Sequence, residues 1–109
     1  MINNRYYIAV DFDGTLVEHK YPAIGEIKSS TIDLLLKKKE AINKLGLELV
    51  IILWTCRSNE TLLAAKNWCK ENMPLSIIPK YYNENPDVPM ESRKIYANEY
   101  WDDRAVVII

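Results

Sequence analysis

Asp11 and Asp13 stand two residues apart, directly after the apolar run Tyr6 to Val10 and directly before Gly14-Thr15. Alternate side chains on a strand share a face, so these two carboxylates point the same way. Like charges so placed repel unless a cation or a shared proton compensates them. Gly14 lets the backbone turn where a side chain would obstruct. Further along, a second apolar run ends at Thr55, with Arg57 close behind. Near the end of the chain, Lys94 precedes the acidic pair Asp102-Asp103. Hard oxygen ligands gathered at one locus suit Mg²⁺. A carboxylate nucleophile, an acid/base partner and a metal are what phosphoryl transfer needs. In that scheme Asp11 and Asp13 do chemistry, and Lys94 neutralises charge on the transferring group.

For these residues to meet, each must sit at the end of a strand. Tyr6 to Val10 reads as a short buried strand. Residues 15–28, punctuated by Tyr21-Pro22 and Gly25, read as a loop or small hairpin over its end. A helix capped by Ser29, Ser30 or Thr31 runs to about Leu45, with Ile32, Leu35, Leu36, Ile42 and Leu45 at helical spacing. Leu47 to Trp54 is a second strand. Ser58 or Asn59 caps a second helix to about Asn72, with Leu62, Leu63, Ala65 and Trp68 inward. Leu75 to Ile78 reads as a third strand, Tyr81 to Pro89 as a loop, and Ser92 to Ala97 as a short helical stretch. Glu99 to Trp101 is a fourth strand, and Val106 to Ile109 a fifth, at the edge. Alternating strands and helices joined by right-handed crossovers give an α/β fold: a three-layer, Rossmann-like sandwich around a mostly parallel sheet. Such sheets bind ligands beyond the carboxyl ends of their strands.

The chain has 109 residues, which fits one domain and leaves no room for a second. It is 49% hydrophobic and 27% charged, as in soluble globular proteins. A formal net charge of -1 argues against a nucleic-acid binder held by bulk electrostatics. The basic run Lys37-Lys38-Lys39 reads as a solvated helix face. Cys56 and Cys69 form neither a disulfide framework nor a zinc cluster, and read as reduced core or near-core residues. The apolar run near the start is too short for a signal peptide or a membrane span, so the expected setting is cytoplasmic, away from membranes.

The segment Tyr7-Ile8-Ala9-Val10-Asp11-Phe12-Asp13-Gly14-Thr15-Leu16 resembles the first motif of the haloacid dehalogenase superfamily. Ile52-Leu53-Trp54-Thr55 resembles its second motif, Lys94 its third, and Tyr100-Trp101-Asp102-Asp103 its fourth. The first motif is highly specific; the others gain weight from their order. The resemblance covers nearly the whole chain and implies a phosphatase. Asp11 would attack phosphorus and form an aspartyl-phosphate. Asp13 would protonate the leaving group and then activate water. Thr55 and Lys94 would hold the phosphoryl oxygens, with Gly14 and Arg57 as further substrate-binding candidates. Mg²⁺ would sit between the Asp11 carboxylate, the Asp13 backbone carbonyl and Asp102, with Asp103 as a direct or water-mediated ligand. Members usually insert a cap domain, and here only residues 15–28 can serve as a flap. The resemblance is to small capless hydrolases of bacterial type, which act on a macromolecule or borrow a neighbouring subunit as lid. The substrate is therefore a phosphorylated small molecule or macromolecule, with a homo-oligomer among the expected partners. Related domains continue past the acidic pair, so the short tail to Ile109 reads as a sheet edge or a fragment.

Blander readings stand beside these. Thr55 also suits a helix N-cap. Arg93 and Lys80 compete with Lys94. Arg57 either contacts a substrate phosphate or pairs with an acid. His19 fits a surface residue, and Tyr81 and Tyr82 fit the core edge or an oligomer contact. A catalytically silent binding or scaffold protein is the alternative to a phosphatase. A response-regulator receiver ranks last, because its acids occur in a different order along the chain.

Overall fold

In a computed structural model, residues 4–85 and 94–104 are described. Four parallel strands form one sheet in the order β3-β2-β1-β4. They are β1 (Arg5–Val10), β2 (Glu48–Leu53), β3 (Tyr81–Tyr82) and β4 (Glu99–Trp101). Two helices connect the first three: α1 (Ser29–Lys44) and α2 (Asn59–Asn72). A single 3-10 turn, Leu75–Ile77, follows α2. No helix among the described residues is long and apolar enough to cross a membrane.

The strand order dictates the layers. From β1 to β2 to β3 the chain steps in one direction across the sheet, so two right-handed crossovers lay α1 and α2 on the same face. Ile32, Leu35 and Ile42 of α1 and Ala65 and Cys69 of α2 accordingly join one core with Ile8, Val10, Leu49, Ile51 and Leu53. The alternate positions, Tyr7, Ala9, Val50 and Ile52, face the other way and are equally buried. Among the described residues, their cover comes from the segment that leads into β4. Ile95 is buried there, with Tyr96 and Ala97 packed beside it. Tyr7 meets the edge of the Tyr96 ring, centroids 5.7 Å apart. This makes the expected three layers: helices, sheet and return segment. Both strands read as continuous apolar runs because both faces are covered.

Two elements differ from the sequence reading. Leu75 to Ile78 is not a strand. Pro74 closes a turn in which the Ile77 amide bonds the Pro74 carbonyl at 3.0 Å, and Leu75 points into solvent. Pairing with β2 starts later, at Tyr81 and Tyr82, which the following asparagines and prolines had made look like loop. Residues 94–97 are not helical. The proposed edge strand at Val106 to Ile109, Arg93, and the second half of the 81–89 loop lie outside the described residues.

Smaller adjustments follow from burial. Leu63 of α2 and Leu45 beyond α1 are exposed, while Cys69 takes an inner position; burial pushes its thiol up to about 12. Lys38 is not merely solvated. Its ammonium lies 2.6 Å from Glu99, which also accepts from the Tyr6 hydroxyl and, at 2.9 Å, from the Trp101 indole. Burial works to raise the Glu99 carboxyl, but these donors outweigh it and leave it below its ordinary value. The cluster ties α1 to the end strand β4. If the return segment is what dries the second face, Ile95→Ala should lower unfolding stability by roughly 2–4 kcal/mol. Denaturant titration reads that loss, and a cost near zero would show that the second face is covered by something else.

Candidate active site at the strand ends

β1 has its crossover on one side and β4 on the other, so the switch in strand direction lies between β1 and β4. The Asp11 amide extends that ladder by donating to the Trp101 carbonyl at 2.9 Å. Asp11 is thereby placed beside the residues following β4. One carboxylate oxygen each from Asp11, Asp102 and Asp103 lies within 4.8 Å of the other two. Asp11 is half-buried, whereas Asp102 and Asp103 are exposed. Burial, above all, pushes the Asp11 carboxyl up to about 6; its hydrogen bond from the Phe12 amide opposes this, and the Asp102, Asp103 and Asp13 charges add to it. Three hard oxygen donors with concentrated negative charge fit a divalent cation such as Mg²⁺. The Asp13 carboxylate is outside this group.

Gly14 permits the convergence. Its φ is +87°, and a Cβ there would lie 2.3 Å from Asp103 Oδ2. Only glycine gives both the left-handed backbone and the room for that carboxylate.

Asp13 is held by Arg57. The guanidinium Nε donates to Asp13 Oδ2 at 2.8 Å and Nη2 to Asp13 Oδ1 at 2.7 Å. The remaining donors go to the carbonyls of Pro22, Ala23 and Thr61 at 3.2, 2.9 and 3.4 Å. All five N–H groups are thus used inside the protein. Arg57 is 1% exposed, and its guanidinium carbon lies 5.1 Å from the Phe12 ring centroid and 5.0 Å from that of Tyr21. Of the two alternatives for Arg57, the acid pair is the one the structure contains. The substrate-binding assignment is corrected, because no donor is left for a phosphate.

Thr55 lies at the end of β2. Its Oγ1 accepts from the Arg57 amide at 3.2 Å, which leaves the hydroxyl hydrogen to donate. Ser58, not Thr55, caps α2, reciprocally with Thr61. Asn83 was missed by sequence reasoning. Its side chain accepts from the Thr55 amide at 2.8 Å and donates to the Arg57 carbonyl at 3.1 Å, so it braces the turn that carries both. Its backbone is left-handed, φ +53°, a conformation for which asparagine is suited. The two-residue strand before it gives no period, so the sequence carried no signal that would have singled it out.

A cleft of about 370 Å³ opens over these residues. Asp11, Asp13, Thr55, Arg57, Asp102 and Asp103 contribute to its walls, and His19, Tyr21, Cys56 and Arg104 to its rim. Cys56 is exposed there and is not a core residue. Lys94 is absent from the cleft. It is exposed, and its ammonium lies 5.7 Å over the Tyr100 ring. In this arrangement the ammonium points to Tyr100 and not into the cleft where phosphoryl oxygens would lie. Lys28 approaches the first motif instead, donating to the Gly14 carbonyl at 3.1 Å.

The segment 15–28 is the expected small hairpin. Glu18 donates to the Glu26 carbonyl and Lys28 to the Leu16 carbonyl, each at 2.8 Å. Gly25 packs against the Glu18 carbonyl, where a Cβ would clash at 2.2 Å. The tip carries His19 and Tyr21 to the cleft.

No family model and no curated protein matches the chain. A solved structure of a conserved protein from Bacteroides thetaiotaomicron is similar, with 35% sequence identity and a TM-score of 0.71. The match covers 94% of this chain and 79% of that one.

Two expectations follow from the geometry. A carboxyl whose folded pKa is raised favours the fold when protonated, and that contribution is lost as pH rises from about 4 through about 6. At pH 7 without divalent metal, Asp11→Asn should therefore be more stable than the wild type, on the order of 1 kcal/mol after screening. The gain should shrink as pH falls through that window, and a gain that is flat with pH would contradict the assignment. Separately, Mg²⁺ at ten times its dissociation constant should stabilise the wild type by about 1.4 kcal/mol. Gly14→Ala should need about tenfold more Mg²⁺ for the same rise in melting temperature, because the new Cβ displaces Asp103.

Proposed function

The chain belongs to the same family as the conserved Bacteroides thetaiotaomicron protein, and we propose that it is a Mg²⁺-dependent phosphatase that hydrolyses a phosphomonoester through an aspartyl-phosphate on Asp11. The observation that carries this reading is the meeting of Asp11, Asp102 and Asp103 at the β1–β4 switch point, beside the Thr55 hydroxyl. The resemblance of the first motif to that of the haloacid dehalogenase superfamily supports it independently.

Asp11, Asp102 and Asp103 would hold Mg²⁺. The ion would supply charge neutralisation, allowing an anionic phosphate to approach an anionic nucleophile. Asp11 then attacks phosphorus, and the ester oxygen departs as an alcohol. Asp13 gives that oxygen its proton and later takes one from the water that cleaves the aspartyl-phosphate. The Thr55 hydroxyl donates to a phosphoryl oxygen. The cleft is large enough for a small phosphomonoester, and His19 and Tyr21 of the flap tip are among the residues that line it.

A second reading, a metal-binding scaffold without turnover, is favoured by one observation: Lys94 lies on Tyr100 and outside the cleft. Incubation with an aryl phosphate separates the two. The phosphatase reading expects Mg²⁺-dependent turnover, loss of at least about 10³-fold in Asp11→Asn, and trapping of phosphate on Asp11 by acid quench. No turnover across a panel of phosphomonoesters, with Mg²⁺ binding intact, would establish the scaffold reading instead.

A further inference from the structure

Arg57 is the most fully committed side chain at the site, and none of its contacts is with the metal-ligand group. Its guanidinium joins three separate pieces of chain. One is the Asp13 carboxylate after β1, gripped through both oxygens at 2.7 and 2.8 Å. Another is the flap tip, held through the Pro22 and Ala23 carbonyls and covered by the Tyr21 ring. The last is the first turn of α2, through the Thr61 carbonyl. A buried cation needs such partners to remain in the fold at all. The choice of partners has a further consequence. The base of the flap is secured by its own backbone ladder, but the tip between Glu18 and Glu26 takes hydrogen bonds from Arg57. The position of the tip and the orientation of Asp13 therefore depend on the same planar group.

We propose that Arg57 is the positioning residue of the site: a latch that fixes the flap tip over the cleft and aims Asp13 at the leaving group. This rests on the phosphatase reading for its kinetic consequence and on geometry alone for the flap. The guanidinium plane sets the carboxylate plane through two parallel hydrogen bonds, an alignment that a lysine ammonium cannot reproduce. The two bonds use one lone pair on each Asp13 oxygen, so proton delivery falls to a second lone pair of the same carboxyl. Arg57 touches no reacting atom and acts through Asp13.

The test is Arg57→Lys, which keeps the charge and loses the fork. An acid that is misaimed penalises poor leaving groups more than good ones, because only the poor ones need the proton. Turnover of an alkyl phosphate should fall about tenfold further than turnover of p-nitrophenyl phosphate, with KM little changed. Equal losses on both esters would overturn the positioning role, since general damage to the fold does not distinguish leaving groups. The flap is read without substrate. Trypsin should cut after Lys20, at the exposed tip, several-fold faster in Arg57→Lys than in the wild type. Asp13→Asn, which weakens the grip from the other side, should show the same acceleration and serves if the lysine variant does not fold. Unchanged cleavage in the folded variant would overturn the latch. If the wild type hydrolyses neither ester, the phosphatase reading fails, and the proteolysis result alone decides the latch.

Discussion

The hydrogen bond from the Asp11 amide to the Trp101 carbonyl brings together residues that are far apart in the chain. It extends the parallel ladder between β1 and β4 by one rung, just past the point where β1 stops being a strand. Parallel strands all end on the same edge of the sheet, so the residues following β1 and β4 must emerge side by side. Asp11 and Asp102-Asp103 are those residues. The pairing of β1 with β4 thus brings like charges together, and the exposure of Asp102 and Asp103 to solvent moderates the repulsion. The raised carboxyl of Asp11 expresses that constraint, together with the larger contribution from its own burial.

The same topology explains why so short a chain can build the site. Two crossovers in one direction place both helices on one face, and a single return across the other face supplies β4. Among the described residues of that return, Ile95, Tyr96 and Ala97 cover Tyr7, Ala9, Val50 and Ile52 without forming a helix. The Lys38–Glu99 ion pair then anchors β4 to α1 from its exposed side. β4 has only three residues, so its position relies on these attachments as much as on its ladder.

How much of this could be read from the sequence depended on whether the signal was local. Tyr7 to Val10 and Leu49 to Leu53 are buried on both faces, and their unbroken apolar character identifies them without reference to the rest of the fold. Asp11 and Asp13 were recognisable because acids directly after such a strand require a reason, and Asp102 and Asp103 because an acidic pair after a later strand completed the order of motifs. Tyr81-Tyr82 was not recognisable as a strand: two residues give no period, and the flanking turn-formers dominate. Leu75 to Ile78 misled in the opposite sense, since Ile77 reaches the core from a turn. Arg57 illustrates a different limit. Its spacing from Thr55 placed it at the site, but whether it faced substrate or an acid depended on the path of residues 21–23, set by tertiary packing. Lys94 was assigned by order along the chain, and order does not fix where a long flexible side chain points.

Four carboxylates gather at one strand edge, and the fold treats them in two ways. Asp13 receives a permanent cation, buried, sandwiched between two rings and saturated with internal acceptors. Asp11, Asp102 and Asp103 have no such cation among the described residues; one oxygen from each lies within 4.8 Å of the other two, beside the cleft. A guanidinium is bulky and planar, and placing one at that point would close the cleft to an anion. A compact, exchangeable cation can satisfy the same charge and still leave room for a phosphate. The arrangement of Arg57 against Asp13 thus has a bearing on the metal reading. By pairing with Asp13, Arg57 leaves a three-carboxylate set beside the cleft, and on the reading proposed above the second aspartate of the motif is then the one that moves protons. The proposed chemistry asks for such a division, a cation held beside Asp11 and a proton moved at Asp13, on residues only two positions apart.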